Sequence, residues 1–174
     1  MDKYTIIKVP DPVLKQVAAP VANIDDIVRS QLDRMLETMY AAKGIGLAAN
    51  QVSLLNRVLV MDTAQREEPE TREPVCMVNP EIVWSSEEPS FWDEGCLSIP
   101  GQYAEVERPY GVRVKYLDYH GKEREGLFEG LASHCVQHEI DHLNGVLFID
   151  HLSSLKRNMI MKKFKKAQRD AETL

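Results

Sequence analysis

Gln137-His138-Glu139-Ile140-Asp141-His142-Leu143, residues 137–143, combines a helical apolar period with a metal-ligating pattern. Over about residues 130–143 the apolar positions Val136, Ile140 and Leu143 recur at i, i+4 and i+7, so one side of a helix faces a core. His138 and His142 stand on one face of that helix, about 6 Å apart along its axis, where two imidazoles can converge on one ion. Glu139 misses the ion yet stays near enough to take a proton from water held on it. A pentapeptide of the form HExxH also arises by chance in surface helices, so a third ligand must be sought elsewhere.

The residues that follow do not supply it. Leu143-Asn144-Gly145-Val146-Leu147-Phe148 keeps the metzincin spacing up to Gly145 and then has Phe148 in place of that group's third histidine. His151, near the start of the last helix, reads as a solvated histidine. Of the three cysteines, Cys76 lies in the apolar run Val75-Cys76-Met77-Val78 and reads as a small core residue. Cys135 is about 10 Å along the helix from His142, too far to share its ion, and is assigned to a pocket wall. Cys96 sits in Glu94-Gly95-Cys96-Leu97-Ser98, where no apolar run accounts for the thiol; it is the third ligand expected. Its thiolate would donate strongly to a divalent ion and leave one position for water.

Outward from the motif, residues 24–42 place Ile24, Ile27, Val28, Leu32, Met35, Leu36, Met39 and Tyr40 at helical spacing behind Asn23 and two aspartates. Residues 58–61 read as a buried strand, residues 64–74 as a polar loop, and residues 75–78 and 82–84 as short strands divided by Asn79-Pro80. Residues 112–119 and 123–128 form a hairpin about His120-Gly121. Ser153 or Ser154 caps a last helix with Leu155, Met159, Ile160 and Phe164 on its apolar side. Helices and strands are segregated rather than alternating, which predicts an α+β fold: short, mostly antiparallel strands around a central helix that carries HExxH, plus N-terminal and C-terminal helices.

With 174 residues, 44% hydrophobic and 28% charged, and no linker or repeat, the chain suits a single catalytic domain over 1–174. An odd number of cysteines argues against a disulfide framework, and no stretch has the length of a signal peptide or a membrane span, so a cytoplasmic protein without membrane attachment is expected. The net charge of −6 is uneven: residues 155–174 carry seven Lys or Arg against two acids, a local +5, which leaves −11 on the rest. A body so acidic repels a phosphate backbone, which speaks against DNA as a partner and confines any nucleic-acid contact to the basic tail.

Gly44-Ile45-Gly46-Leu47-Ala48-Ala49-Asn50-Gln51 has neither the order of a dinucleotide loop nor the lysine of a P-loop. It can be a helix C-cap and turn, or a place where small residues let a peptide backbone come close, with the Gln51 amide as a donor. Leu131, His134 and Cys135 precede His138 on roughly its own face and, with Ile45, are candidate walls of a pocket for an unbranched apolar side chain.

Together GIGLAANQ (residues 44–51), EGCLS (94–98) and QHEIDHL (137–143) resemble the three signature motifs of the peptide deformylase family, in the same order and at similar separations. The resemblance extends from Pro10-Asp11-Pro12 to a C-terminal helix like that of the bacterial form. It implies hydrolysis of the N-terminal formyl-methionine of newly made polypeptides to formate and a free amine, a step of protein biosynthesis. Cys96, His138 and His142 would hold one divalent ion, physiologically Fe(II), with Zn, Ni or Co possible in a purified sample. Glu139 would act as general base and then proton donor, and the Gln51 amide and Leu97 N–H would stabilise the oxyanion. Gly44, Ile45 and Gly46 would join the substrate site, and the basic helix over 155–174 would dock on the ribosome. Members of the family often have an aliphatic residue in place of His134 and an arginine in place of Tyr103. The rival readings are an HExxH peptidase, which would cut internal amides, and a metal-stabilised RNA-binding module, which would tolerate loss of Glu139.

Overall fold

A computed structural model describes residues 2–64 and 67–172; residues 65–66 of the expected polar loop and 173–174 of the expected basic helix lie outside them. Helix α1 (Asp26–Ala41) starts where the Asp25 carboxylate accepts the Val28 N–H at 3.0 Å. Leu32, Met35 and Met39 are fully buried along it, whereas Ile27 is 78% exposed. Ile27 lies about 100° around the axis from Val28, off the buried stripe, so its expected place on the apolar side is corrected. The helix closes with Lys43 N–H on the Tyr40 carbonyl and Gly44 N–H on the Met39 carbonyl, each 3.0 Å, and the left-handed residue of this cap is Lys43 (φ 58°), not a glycine.

Strands β1 (Gly46–Ala48), β2 (Val58–Met61), β3 (Val75–Ser85), β6 (Gly111–Leu117) and β7 (Glu123–Glu129) form an antiparallel sheet in the order β1-β2-β3-β6-β7. Strands β4 (Pro89–Cys96) and β5 (Ile99–Pro109) make a separate antiparallel hairpin. β3 runs eleven residues through Asn79-Pro80, where the sequence predicts two short strands. Asn79 takes φ 52° and the register against β6 shifts between Val78 and Glu81, so a bulge absorbs the proline without ending the strand. The expected β6–β7 hairpin is present, its turn tied by the Asp118 carboxylate to the N–H groups of His120 and Lys122.

Helix α2 (Leu131–Leu143) packs Val136, Ile140 and Leu143 against Leu59, Met61, Met77, Val112 and Val114 on one face of the sheet. Helix α1 covers the other face through Leu32, Met35 and Met39 on Val58, Val60 and Val78. β2 is thus buried on both sides, which explains its continuous apolar run. A third cluster joins Ile99 and Val106 of β5 to Val9, Leu14, Phe148, Ile149 and, from helix α3 (Ser154–Glu172), Phe164. Ser153 caps α3 by accepting the Lys156 N–H at 3.3 Å. Ile160, Met161 and Phe164 form its contact stripe, while Leu155 and Met159 are 71% and 50% exposed, which corrects the apolar side expected from spacing alone. No helix of the described residues is long and apolar enough to cross a membrane.

Candidate metal centre

The thiol and the two imidazoles meet. Ligand atoms of Cys96, His138 and His142 all lie within 4.8 Å of one another, and Cys96 Sγ is 3.4 Å from His142 Nε2. A tetrahedral ion bonded at about 2.3 Å to sulfur and about 2.1 Å to nitrogen would separate its ligands by about 3.6 Å, so the donors are spaced for one ion. A thiolate with two imidazoles suits a divalent transition metal. His142 is fully buried, and its Nδ1 has no hydrogen-bond partner among the described residues. Burial and the neighbouring His138 hold its pKa well below the ordinary value, which keeps it neutral as a ligand must be.

Cys96 ends β4 beside a break in register: Gly95 faces Tyr103, but Cys96 faces Ile99. The extra residues, 100–102, bulge outward and form part of the mouth of a cavity of about 350 Å³. Lining it are all the residues expected of a substrate site, Gly44, Ile45, Gly46, Leu131, His134 and Cys135, together with Gln51, Cys96, Leu97, His138 and Glu139. Trp92 and Tyr103 also line it, 44% and 65% exposed. His151 is elsewhere, partly exposed and bonded to Asp141 at 2.8 Å, as a solvated histidine should be. Cys76 packs against the α1 cluster, and burial pushes its thiol up to about 12.

Glu139 is 4% exposed, and its Oε1 has no hydrogen-bond partner among the described residues. Burial raises its pKa to about 7, with His138 pulling the other way. A carboxyl poised there can both take and return a proton at neutral pH. The glycine stretch serves it directly: a Cβ on Gly46 would stand 2.5 Å from Glu139 Oε2 and 2.9 Å from Cys135 Sγ. Of the two open readings of residues 44–51, the helix cap is present, since Gly44 N–H completes it, while the room left at Gly46 is taken up by the Glu139 carboxylate and the Cys135 sulfur of the protein itself. Beyond Gly46 the chain makes one tight helical turn, Ala49–Val52, in which Gln51 Oε1 accepts the Ala48 N–H at 3.0 Å. That bond orients the amide, turning Nε2 toward Ser98 Oγ (3.1 Å) and Cys96 Sγ (3.6 Å). The N-terminal segment holds both turns, with Ile7 N–H on the Gln51 carbonyl and Val9 N–H on the Ser98 carbonyl.

Sequence reasoning gave no role to Glu94, yet it organises the site. Its two oxygens receive the fork of Arg108, Nε at 2.6 Å and Nη2 at 2.9 Å, and His138 Nδ1 lies 3.0 Å from Oε1. The carboxylate fixes the tautomer of His138, so that Nε2 is left for the ion. Burial alone would raise the Glu94 pKa, but bonds from His134, His138 and Arg108 hold it far below the carboxylate range. Asp141 braces Arg108 from the other side, 2.9 Å from Nη1. No local signal in the sequence pointed to them: Glu94 and Arg108 are buried charges, each 5% exposed, in a hairpin whose other side chains are mostly exposed or half-buried, and each needs the other as its partner.

The sequence matches the polypeptide deformylase family over residues 3–158. The chain belongs to that family. It is 58% identical over 163 residues to the peptide deformylase of Methylocella silvestris, covering 93% of this chain and 83% of that protein. The crystal structure of the Ehrlichia chaffeensis peptide deformylase superposes with a TM-score of 0.91 at 40% identity, covering 98% of this chain and 99% of that one. An Acinetobacter baumannii peptide deformylase crystallised with Met-Ala-Ser bound superposes at 0.80 and 39% identity over 87% of this chain and 99% of that one. The α+β architecture is that of these deformylases, and the chain is a metal-dependent hydrolase of the deformylase class.

Proposed function

We propose that this deformylase acts on the N-terminal formyl-methionine of new polypeptides, releasing formate and a free amine. The observation that carries this reading is the convergence of Cys96, His138 and His142 beside a buried, unpartnered Glu139 oxygen, on a cavity with apolar walls. When bound, a divalent ion there supplies Lewis acidity and lowers the pKa of water from about 15.7 toward about 7. Glu139 takes the proton of the attacking water and passes it to the departing amine. Charge that develops on the formyl oxygen meets the Gln51 Nε2 donor and the Leu97 N–H, next to Cys96 in the chain. Losing one such preorganised donor lowers the rate by about 10²–10³. Leu131, Cys135 and Ile45 receive the methionine side chain, while Gly44 and Gly46 let the peptide backbone run close to β1. The Met-Ala-Ser held by the Acinetobacter baumannii relative supports a substrate of this kind.

Fe(II) is the proposed physiological ion, with Zn, Ni or Co as the alternatives in a purified sample, and the cytoplasm is the proposed location. An iron-bound thiolate is open to oxidation, so aerobic loss of activity is expected. Formate release from formyl-Met-Ala-Ser by anaerobically reconstituted protein tests the activity. Cleavage of internal amides in an unformylated peptide, or no formate, overturns it. The basic helix α3, of which the family match reaches only residue 158, is proposed to dock on the ribosome. Ending the chain at residue 154 should weaken ribosome co-sedimentation; unchanged affinity rejects that docking.

A further inference from the structure

His134 is 1% exposed and one helical turn before His138, and although it lines the cavity both of its ring nitrogens are engaged by protein groups. Nδ1 is 2.7 Å from Glu94 Oε2 and Nε2 is 3.1 Å from Ser90 Oγ. Since Glu94 is held as a carboxylate by the Arg108 fork, it can only accept, so His134 Nδ1–H is the donor. Each Glu94 oxygen then receives one guanidinium N–H and one imidazole N–H: Oε1 from Arg108 and His138, Oε2 from Arg108 and His134.

The geometry matters because of where the partners sit. Glu94 is on β4, two residues before Cys96, whereas His134 and His138 stand on successive turns of α2, whose next turn carries His142. The bond from Glu94 to His138, and that from Arg108 of β5 to Asp141, hold only the later turns of the helix to the hairpin. Two bonds one turn apart fix both the spacing along the helix and its rotation. We propose that His134 is a positioning residue of the metal centre: by taking the second oxygen of Glu94, it holds β4 and α2 in the registration at which Cys96 meets His138 and His142.

The proposal rests on the Cys-His-His centre, and the test separates the two. Cobalt(II) is titrated against a competing chelator into wild type, His134→Phe, which keeps a ring without the donor, and His134→Asn, which keeps a donor near the Nδ1 position without the ring. Wild type should take up one cobalt with the visible bands of a thiolate-ligated tetrahedral ion; failure at this step sinks the centre itself. His134→Phe should bind cobalt about tenfold more weakly with shifted bands, and His134→Asn within about threefold of wild type, in line with the loss typical of groups behind a ligand. Unchanged or tighter binding by His134→Phe, or equal weakening of both variants, overturns the proposal, because then the Nδ1–H bond is not what matters. Should His134→Phe not fold, Ser90→Ala gives the same test in milder form: it releases the bond that fixes the ring while leaving the ring in place. There a weakening smaller than that of His134→Phe is expected, and unchanged affinity overturns the proposal.

Discussion

Gly46 shows how tightly the site is built at the scale of single residues. Its missing side chain leaves room for the Glu139 carboxylate, with a Cβ only 2.5 Å from Oε2, so Gly46→Ala must push that carboxylate aside. Displacement of a proton-transfer group by about 1 Å can lower a rate by about 10²-fold, and that drop in kcat/KM is expected here with metal content unchanged. Glu139→Gln should likewise keep its ion, measured by elemental analysis, but lose turnover by about 10²–10⁴, the range of a lost general base. Full activity in Glu139→Gln would remove it from the reaction. His138, Glu139 and His142 were legible in sequence because helical period alone puts i and i+4 on one face. Cys96 was legible by elimination among three thiols. Glu94 and Arg108 were not, because the burial of a charge depends on a partner fourteen positions away whose side chain no local pattern orients.

Elements were read best where an apolar stripe of regular period meets the core, as in α1 and α2, or where a turn signal marks off the strands, as in the β6–β7 hairpin. The β4–β5 hairpin escaped because its aromatic residues Phe91, Trp92 and Tyr103 are 56%, 44% and 65% exposed and its register jumps at Gly95, which destroys the period of two. For α3 the sequence reading put Leu155 and Met159 on the apolar side with Ile160 and Phe164, and only tertiary contact shows that the stripe runs through Ile160, Met161 and Phe164. Just before α3, Asp150 accepts Lys15 Nζ at 2.7 Å and the Leu147 N–H at 2.8 Å. Burial would raise its pKa, but these donors outweigh it and hold the carboxyl below its ordinary value. A depressed acid stabilises the fold above its unfolded pKa, about 3.9, and that contribution fades as pH falls through the lower folded value. Asp150→Asn should therefore lose about 0.5–1 kcal/mol at pH 7 and approach wild type at pH 3, as read from urea midpoints at both values. An equal gap at both pH values would exclude a charge effect.

Across the whole molecule, the site draws on α2, the β4–β5 hairpin, the turn after β1 and the N-terminal segment, and none of these holds it alone. Among the ligands, His138 has its pKa raised well above the ordinary histidine value: burial opposes the rise, and Glu139, Cys96 and Glu94 prevail. Binding an ion must expel that proton, so affinity should climb with pH. Forty-two positions of chain separate Cys96 from His138, and an ion shared by both ties off that loop as a covalent staple would. Closing a loop of this length is worth on the order of 4 kcal/mol in the chain-entropy estimate for a permanent link. Chelation should accordingly do more than silence the enzyme. It should lower the melting temperature and speed amide exchange in the hairpin, with Co(II) restoring both, so that metal supply would govern how long each copy lasts as well as how fast it works.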